Sequence, residues 1–78
     1  MATVVLFARP GCHLCDEARL VIEAARAEVA FVFEEVDIET DDALVRDYGL
    51  RIPVVAIDGD EVFEISVDRT SLLAALRG

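Results

Sequence analysis

At 78 residues the chain is long enough for one small domain, expected over residues 1–78, whose core supplies only modest net stability. Hydrophobic residues make up 55% of it, which excludes disorder, while 7 cations against 16 anions leave a net charge of −9. That balance argues against a nucleic-acid backbone or an anionic membrane surface as partner.

No stretch approaches the roughly 20 apolar residues of a bilayer span. The first residues lack a basic segment followed by a long apolar run, since Arg9 interrupts the opening one. No export signal and a cytoplasmic location are therefore expected. In that setting two cysteines suggest a redox or metal role more than a structural staple.

In chain order, Val4-Val5-Leu6-Phe7-Ala8 reads as a buried strand, and Arg9-Pro10-Gly11 turns the backbone sharply out of it. A helical stripe follows, with Leu14, Ala18, Val21, Ile22 and Ala25 at i, i+4, i+7, i+8 and i+11. Asp16 with Arg19, and Glu23 with Arg26, are placed to pair on its solvated side. Phe31 to Ile38 reads as a second strand, although Glu34-Glu35 breaks the alternation. A crossover of this length favours a parallel, right-handed connection.

Thr40 is expected to cap a short second helix ending at Gly49, with Leu44, Val45 and Tyr48 facing inward. Pro53 to Ile57 is a third strand, and Asp58-Gly59 signals a hairpin into a fourth, Glu61 to Val67. Phe63, Ile65 and Val67 alternate there with Glu64 and Ser66. Asp68 can cap a last helix carrying Leu72, Leu73 and Leu76. The order is βαβαββα.

The only cysteines, Cys12 and Cys15, sit where the first strand gives way to the first helix. The first N–H groups of a helix lack intrahelical partners, and the macrodipole places partial positive charge there. A thiolate at Cys12 is stabilised in that position, and Cys15, one turn on, is within reach for a disulfide. At about 100° per residue Cys15 falls on the edge of the apolar stripe and Cys12 at the exposed tip. Cys12 is accordingly the candidate attacker and Cys15 the sheltered resolver.

Two inert thiols or a metal half-site are the competing readings. With His13 the chain offers three ligands at most, so a closed zinc site would need a second copy or an outside thiol. His13 itself either favours the Cys12 thiolate when protonated or is a solvated surface residue. Arg9 is either a loop cation or a substrate clamp.

Gly11-Cys12-His13-Leu14-Cys15-Asp16-Glu17-Ala18 after a first strand, with Tyr48-Gly49-Leu50-Arg51-Ile52-Pro53-Val54 before a hairpin, resembles the small glutaredoxin-like proteins of the thioredoxin fold. The resemblance covers essentially the whole chain. It implies an α/β fold with a four-stranded mixed sheet flanked by helices. It also implies a cis Pro53 facing Cys12 and Cys15, and an Ile52 backbone that pairs with substrate.

The implied activity is thiol–disulfide exchange on a protein disulfide or a glutathione mixed disulfide, by a monomer regenerated by an external reductant. No bound cofactor is expected, and glutathione is a candidate co-substrate. Arg9, with Arg51 as a second contact, would meet it. The sequence departs from the glutathione-using members in two places. Ile65-Ser66-Val67-Asp68 stands where they carry a glycine pair, and His13-Leu14 replaces the usual Pro-Tyr. The alternative from another class is a redox-inert adaptor or metal-carrying module on the same fold.

Overall fold

The computed structural model describes residues 1–78. Strand β1 (Ala2–Ala8) leads to helix α1 (His13–Ala25), then β2 (Phe31–Asp37), a single 3-10 turn (Ile38–Thr40) and helix α2 (Asp42–Tyr48). Strands β3 (Val54–Ile57) and β4 (Asp60–Glu64) form a hairpin, and α3 (Arg69–Arg77) closes the chain. The four strands make one mixed sheet in the order β2-β1-β3-β4, with β1 parallel to β2 and antiparallel to β3. The α/β architecture and the order of elements are those expected from the sequence.

Alternation along β1 sends Val4, Leu6 and Ala8 to one face, where they meet Cys15, Ala18, Ile22 and Ala25 of α1 and Leu72 and Leu73 of α3. This is the main core. The opposite face is covered only in part. Alternation places Phe7 there, and the Tyr48 ring stacks on it, centroids 4.2 Å apart and planes 9° from parallel.

Register decides what shares an end of the sheet. Ala8 lies opposite Asp37, Phe7 opposite Val54, and Val54 opposite Glu64. The loop after β1, the loop before β3 and the segment after β4 therefore all leave from one end.

Four local expectations need correction. Leu14 is 44% exposed, so the buried stripe of α1 begins at Cys15 and runs through Ala18, Ile22 and Ala25. Helix α2 is capped by Asp41, whose carboxylate accepts from the Ala43 N–H at 2.8 Å, and not by Thr40. The Thr40 hydroxyl instead donates to the Asp37 carbonyl at 2.7 Å, closing the 3-10 turn. That helix buries no residue completely, and Val45 is exposed.

Gly49 is the helix C-cap, as expected, with right-handed backbone at φ −54°. A Cβ there would lie 2.5 Å from the Val45 carbonyl oxygen, so the position needs closeness and not a positive φ. Finally, β4 stops at Glu64, three residues short. Ile65 turns to φ 71°, and its N–H bonds the carbonyls of Pro53 (2.8 Å) and Arg51 (3.1 Å). Asp58 and Gly59 both take positive φ, as a two-residue hairpin loop demands.

Candidate functional site

The site is built at the tip of α1. Gly11, at φ 76°, makes the turn out of β1 and leaves Cys12 as the N-cap in extended backbone, φ −89° and ψ 109°. The Cys12 Sγ accepts the Cys15 N–H at 3.1 Å, taking the part an Asp or Ser oxygen usually plays at a helix start. The two sulfurs are joined as a disulfide, with the Cα atoms 5.2 Å apart. Cys15 has no exposed surface, whereas Cys12 is half-buried. The pair is asymmetric: one sulfur is sealed under the helix and the other lies at its rim.

His13 projects into solvent, with Nε2 3.3 Å from a Glu17 carboxylate oxygen, an ion pair when the imidazole is protonated. Arg9 is half-exposed but committed. Its Nε and Nη2 both donate to one Glu39 oxygen, at 3.2 and 2.9 Å. Beside it a polar cavity of about 140 Å³ is lined by Ala8, Arg9, Pro10, Asp16, Arg19, Glu35 and Asp37. Arg19 clamps Glu35 at 2.6 and 2.7 Å and Asp16 at 2.8 Å, pinning α1 to β2. The hydrogen bonds to Glu35, then those to Asp16, raise the Arg19 guanidinium above its ordinary value. No group of three or more His, Cys, Asp or Glu side chains is arranged to hold a metal ion.

Pro53 is buried and the Ile52–Pro53 peptide bond is cis. The Ile52 side chain is half-buried against the core that Cys12 also touches. Its N–H already bonds the Tyr48 carbonyl at 3.1 Å, while its own carbonyl accepts nothing from the protein. This loop is tied down from outside. Arg51 Nη1 donates to Glu61 at 2.9 Å and Glu64 at 3.1 Å, and its Nε to the Asp47 carbonyl at 3.1 Å. The guanidinium also lies over the Tyr48 ring, 5.1 Å from the centroid.

The cluster is electrostatically coupled. Its bonds to Glu61 and then Glu64 raise the Arg51 guanidinium, while Arg51 first and Tyr48 second hold the Glu61 carboxyl below the usual carboxylate range. Burial, and then the bond to Glu61, push the Tyr48 phenol up. Sequence reasoning missed this Phe7–Tyr48–Arg51 stack and the role of Ile65. The one local signal was an aromatic three residues before an arginine that itself stands two before a proline.

A family model described as Glutaredoxin-like domain (DUF836) matches residues 3–77. The chain belongs to that family. This glutaredoxin-like chain is 39% identical to the structural-genomics target protein XcR50 from X. campestris, with 95% of each chain covered and a TM-score of 0.80. It is 27% identical to protein Ne2328 from Nitrosomonas europaea over 96% of this chain and 91% of that one, with a TM-score of 0.82. A mutant thioredoxin from Halobacterium salinarum, at 22% identity, covers 97% of this chain and 72% of its own with a TM-score of 0.73, a likeness of fold. No curated protein sequence matches. The glutaredoxin-like domain therefore has a thioredoxin fold carrying a paired Cys-x-x-Cys, which supports a redox role. No helix is long and apolar enough to cross a membrane.

Proposed function

We propose that this protein is a thiol–disulfide oxidoreductase in which Cys12 attacks and Cys15 resolves. The observation that carries the reading is the asymmetry of the pair. Cys12 is the half-buried member, its sulfur accepting a backbone N–H at the helix start, whereas Cys15 is fully buried. In the reduced protein the same N–H and the helix terminus stabilise negative charge on Cys12.

The Cys12 thiolate attacks one sulfur of a substrate disulfide. A new S–S bond forms, the substrate bond breaks, and the departing thiolate takes a proton from solvent. Cys15 loses its proton and attacks Cys12, releasing the second substrate thiol and leaving the intramolecular disulfide. Two electrons pass to the substrate, and an external thiol reductant restores them. Protein disulfides and glutathione mixed disulfides are both chemically suitable.

Ile52 would hold an extended substrate through its open carbonyl, with the buried Pro53 fixing the turn beneath it. His13, when protonated, would favour the Cys12 thiolate electrostatically. For Arg9 to clamp a substrate carboxylate, it would have to leave Glu39. A cytoplasmic, monomeric protein without bound cofactor completes the reading.

The test is reduction of a neutral small disulfide and of insulin by the parent and two variants. Cys12→Ser is expected to lose all exchange, at least about a hundredfold. Cys15→Ser should retain attack but accumulate mixed disulfides, visible as mass adducts. Equal behaviour of the two variants would overturn the assignment, and an inactive parent the whole reading.

A further inference from the structure

We propose that the preferred substrate is a polypeptide disulfide flanked by apolar and cationic residues, taken ahead of glutathione disulfide; this rests on the thiol–disulfide reading above. Three observations converge on it. First, the disulfide end of the sheet carries apolar side chains that nothing covers. Leu14 lies inside the motif and is 44% exposed, Leu50 in the loop before Ile52 is 98% exposed, and Ile65 is 44% exposed. The Ile65 N–H bonds the Pro53 carbonyl, so it borders the same loop.

Second, Ile65 holds its place against backbone preference. A β-branched residue at φ 71° is a genuine outlier; backbone bonds hold it there, the Ser66 N–H to the Glu64 carbonyl at 2.8 Å and its own N–H to Pro53, while its side chain stays 44% exposed. Strained backbone of this kind clusters at binding and catalytic sites, and Ile65 borders the loop that carries Ile52 and Pro53.

Third, the cations that would attract an anionic disulfide are spoken for. Arg9 is held by Glu39, Arg19 by Asp16 and Glu35, and Arg51 by Glu61 and Glu64. Among all the arginines only Arg46 has no carboxylate partner. Glu17, Asp41 and Asp42 add negative charge without an arginine to offset it, in a chain of net charge −9. Oxidised glutathione carries four carboxylates against two ammonium groups and offers little apolar surface. A cationic peptide with apolar flanks matches both the field and the exposed leucines.

In the reaction the Cys12 thiolate takes one peptide sulfur into a mixed disulfide, and Cys15 then releases the peptide as a dithiol. The two electrons come from the protein's own thiols, so a single turnover of pre-reduced protein needs no added reductant.

The experiment follows that turnover with four oxidants: bis(2-hydroxyethyl) disulfide, which is neutral; oxidised glutathione; and two disulfide-closed peptides identical except for lysines or glutamates beside the same apolar flanks. Each rate is divided by the rate of the same oxidant with mercaptoethanol, which removes intrinsic reactivity. The lysine peptide should outrun the glutamate peptide about tenfold at about 0.02 M salt and less than about twofold at about 0.5 M. Oxidised glutathione should fall below the lysine peptide by a similar factor.

Ile65→Gly should keep or raise the thermal midpoint, because the strain is relieved, yet slow the lysine peptide about fivefold. Glutathione as fast as the lysine peptide, no charge effect at low salt, or an Ile65→Gly variant as fast as the parent would each overturn the proposal. Failure with the neutral disulfide would overturn the thiol–disulfide reading itself.

Discussion

Helices α1 and α2 lie on opposite faces of one sheet and are held by different means. Helix α1 sinks Cys15, Ala18, Ile22 and Ala25 into the main core beside α3. Helix α2 buries nothing completely. It is fixed by a cap at Asp41, by the stack of Tyr48 on Phe7, and by Arg51 reaching across to β4. The difference maps onto the site. The half that carries the cysteines is anchored by packing, whereas helix α2, which leads into the Ile52-Pro53 loop, is anchored by surface polar and aromatic contacts. Positions on the first half should govern stability, and positions on the second should govern how substrate is met.

The largest effect that would sharpen this contrast is Ile22→Ala. Ile22 is fully buried, and the substitution should cost about 2–5 kcal/mol in denaturant unfolding. Val45→Ala on the exposed side of α2 should stay within about 0.5 kcal/mol. Comparable losses at the two sites would break the contrast.

Next comes Tyr48→Ala, which removes the stack on Phe7 and the seat of Arg51. About 1–2 kcal/mol should be lost, together with an increase in KM for a disulfide peptide larger than the fall in kcat. An unchanged KM would show that the loop keeps its place without the stack.

The smallest expected effect concerns pH. The Ser71 backbone N–H holds the Asp68 carboxyl below its ordinary value, and Arg51 does the same for Glu61. A carboxyl depressed in the folded state favours folding fully above its unfolded pKa. That contribution fades as pH falls through the folded one. Urea midpoints should therefore decline on acidification below the ordinary carboxylate range. Asp68→Asn, which can still cap α3, should flatten part of that acid limb while changing little near neutrality. An unaltered acid limb would remove Asp68 from this role.

Much of the site was legible before any coordinates. Cys12 at a helix start with Cys15 one turn inside follows from two punctuating residues, Pro10 and Gly11, between an apolar run and a periodic stripe. The hairpin followed from Asp58-Gly59, and the last helix from Asp68. What failed did so where a distant partner intervened. Leu14 fits the helical stripe but meets no neighbour from another element that buries it. Arg9 and Arg51 look like free cations in the sequence, because Glu39 and Glu64 are 30 and 13 residues away from them. Thr40 is an ordinary helix cap by type, but the 3-10 turn uses its hydroxyl and passes the task to Asp41.

By itself the sequence determined the order of elements, the cap of the last helix at Asp68, the turn into the motif and the unequal setting of the two sulfurs. These depend on groups within a few residues of one another, on backbone preference and on periodicity. Only the tertiary structure decided the strand order β2-β1-β3-β4, the early end of β4 at Glu64, and that Arg9 and Arg51 were already paired. Those depend on which distant groups the sheet brings within a few ångströms, and burial and charge pairing act through space with no regard for separation along the chain.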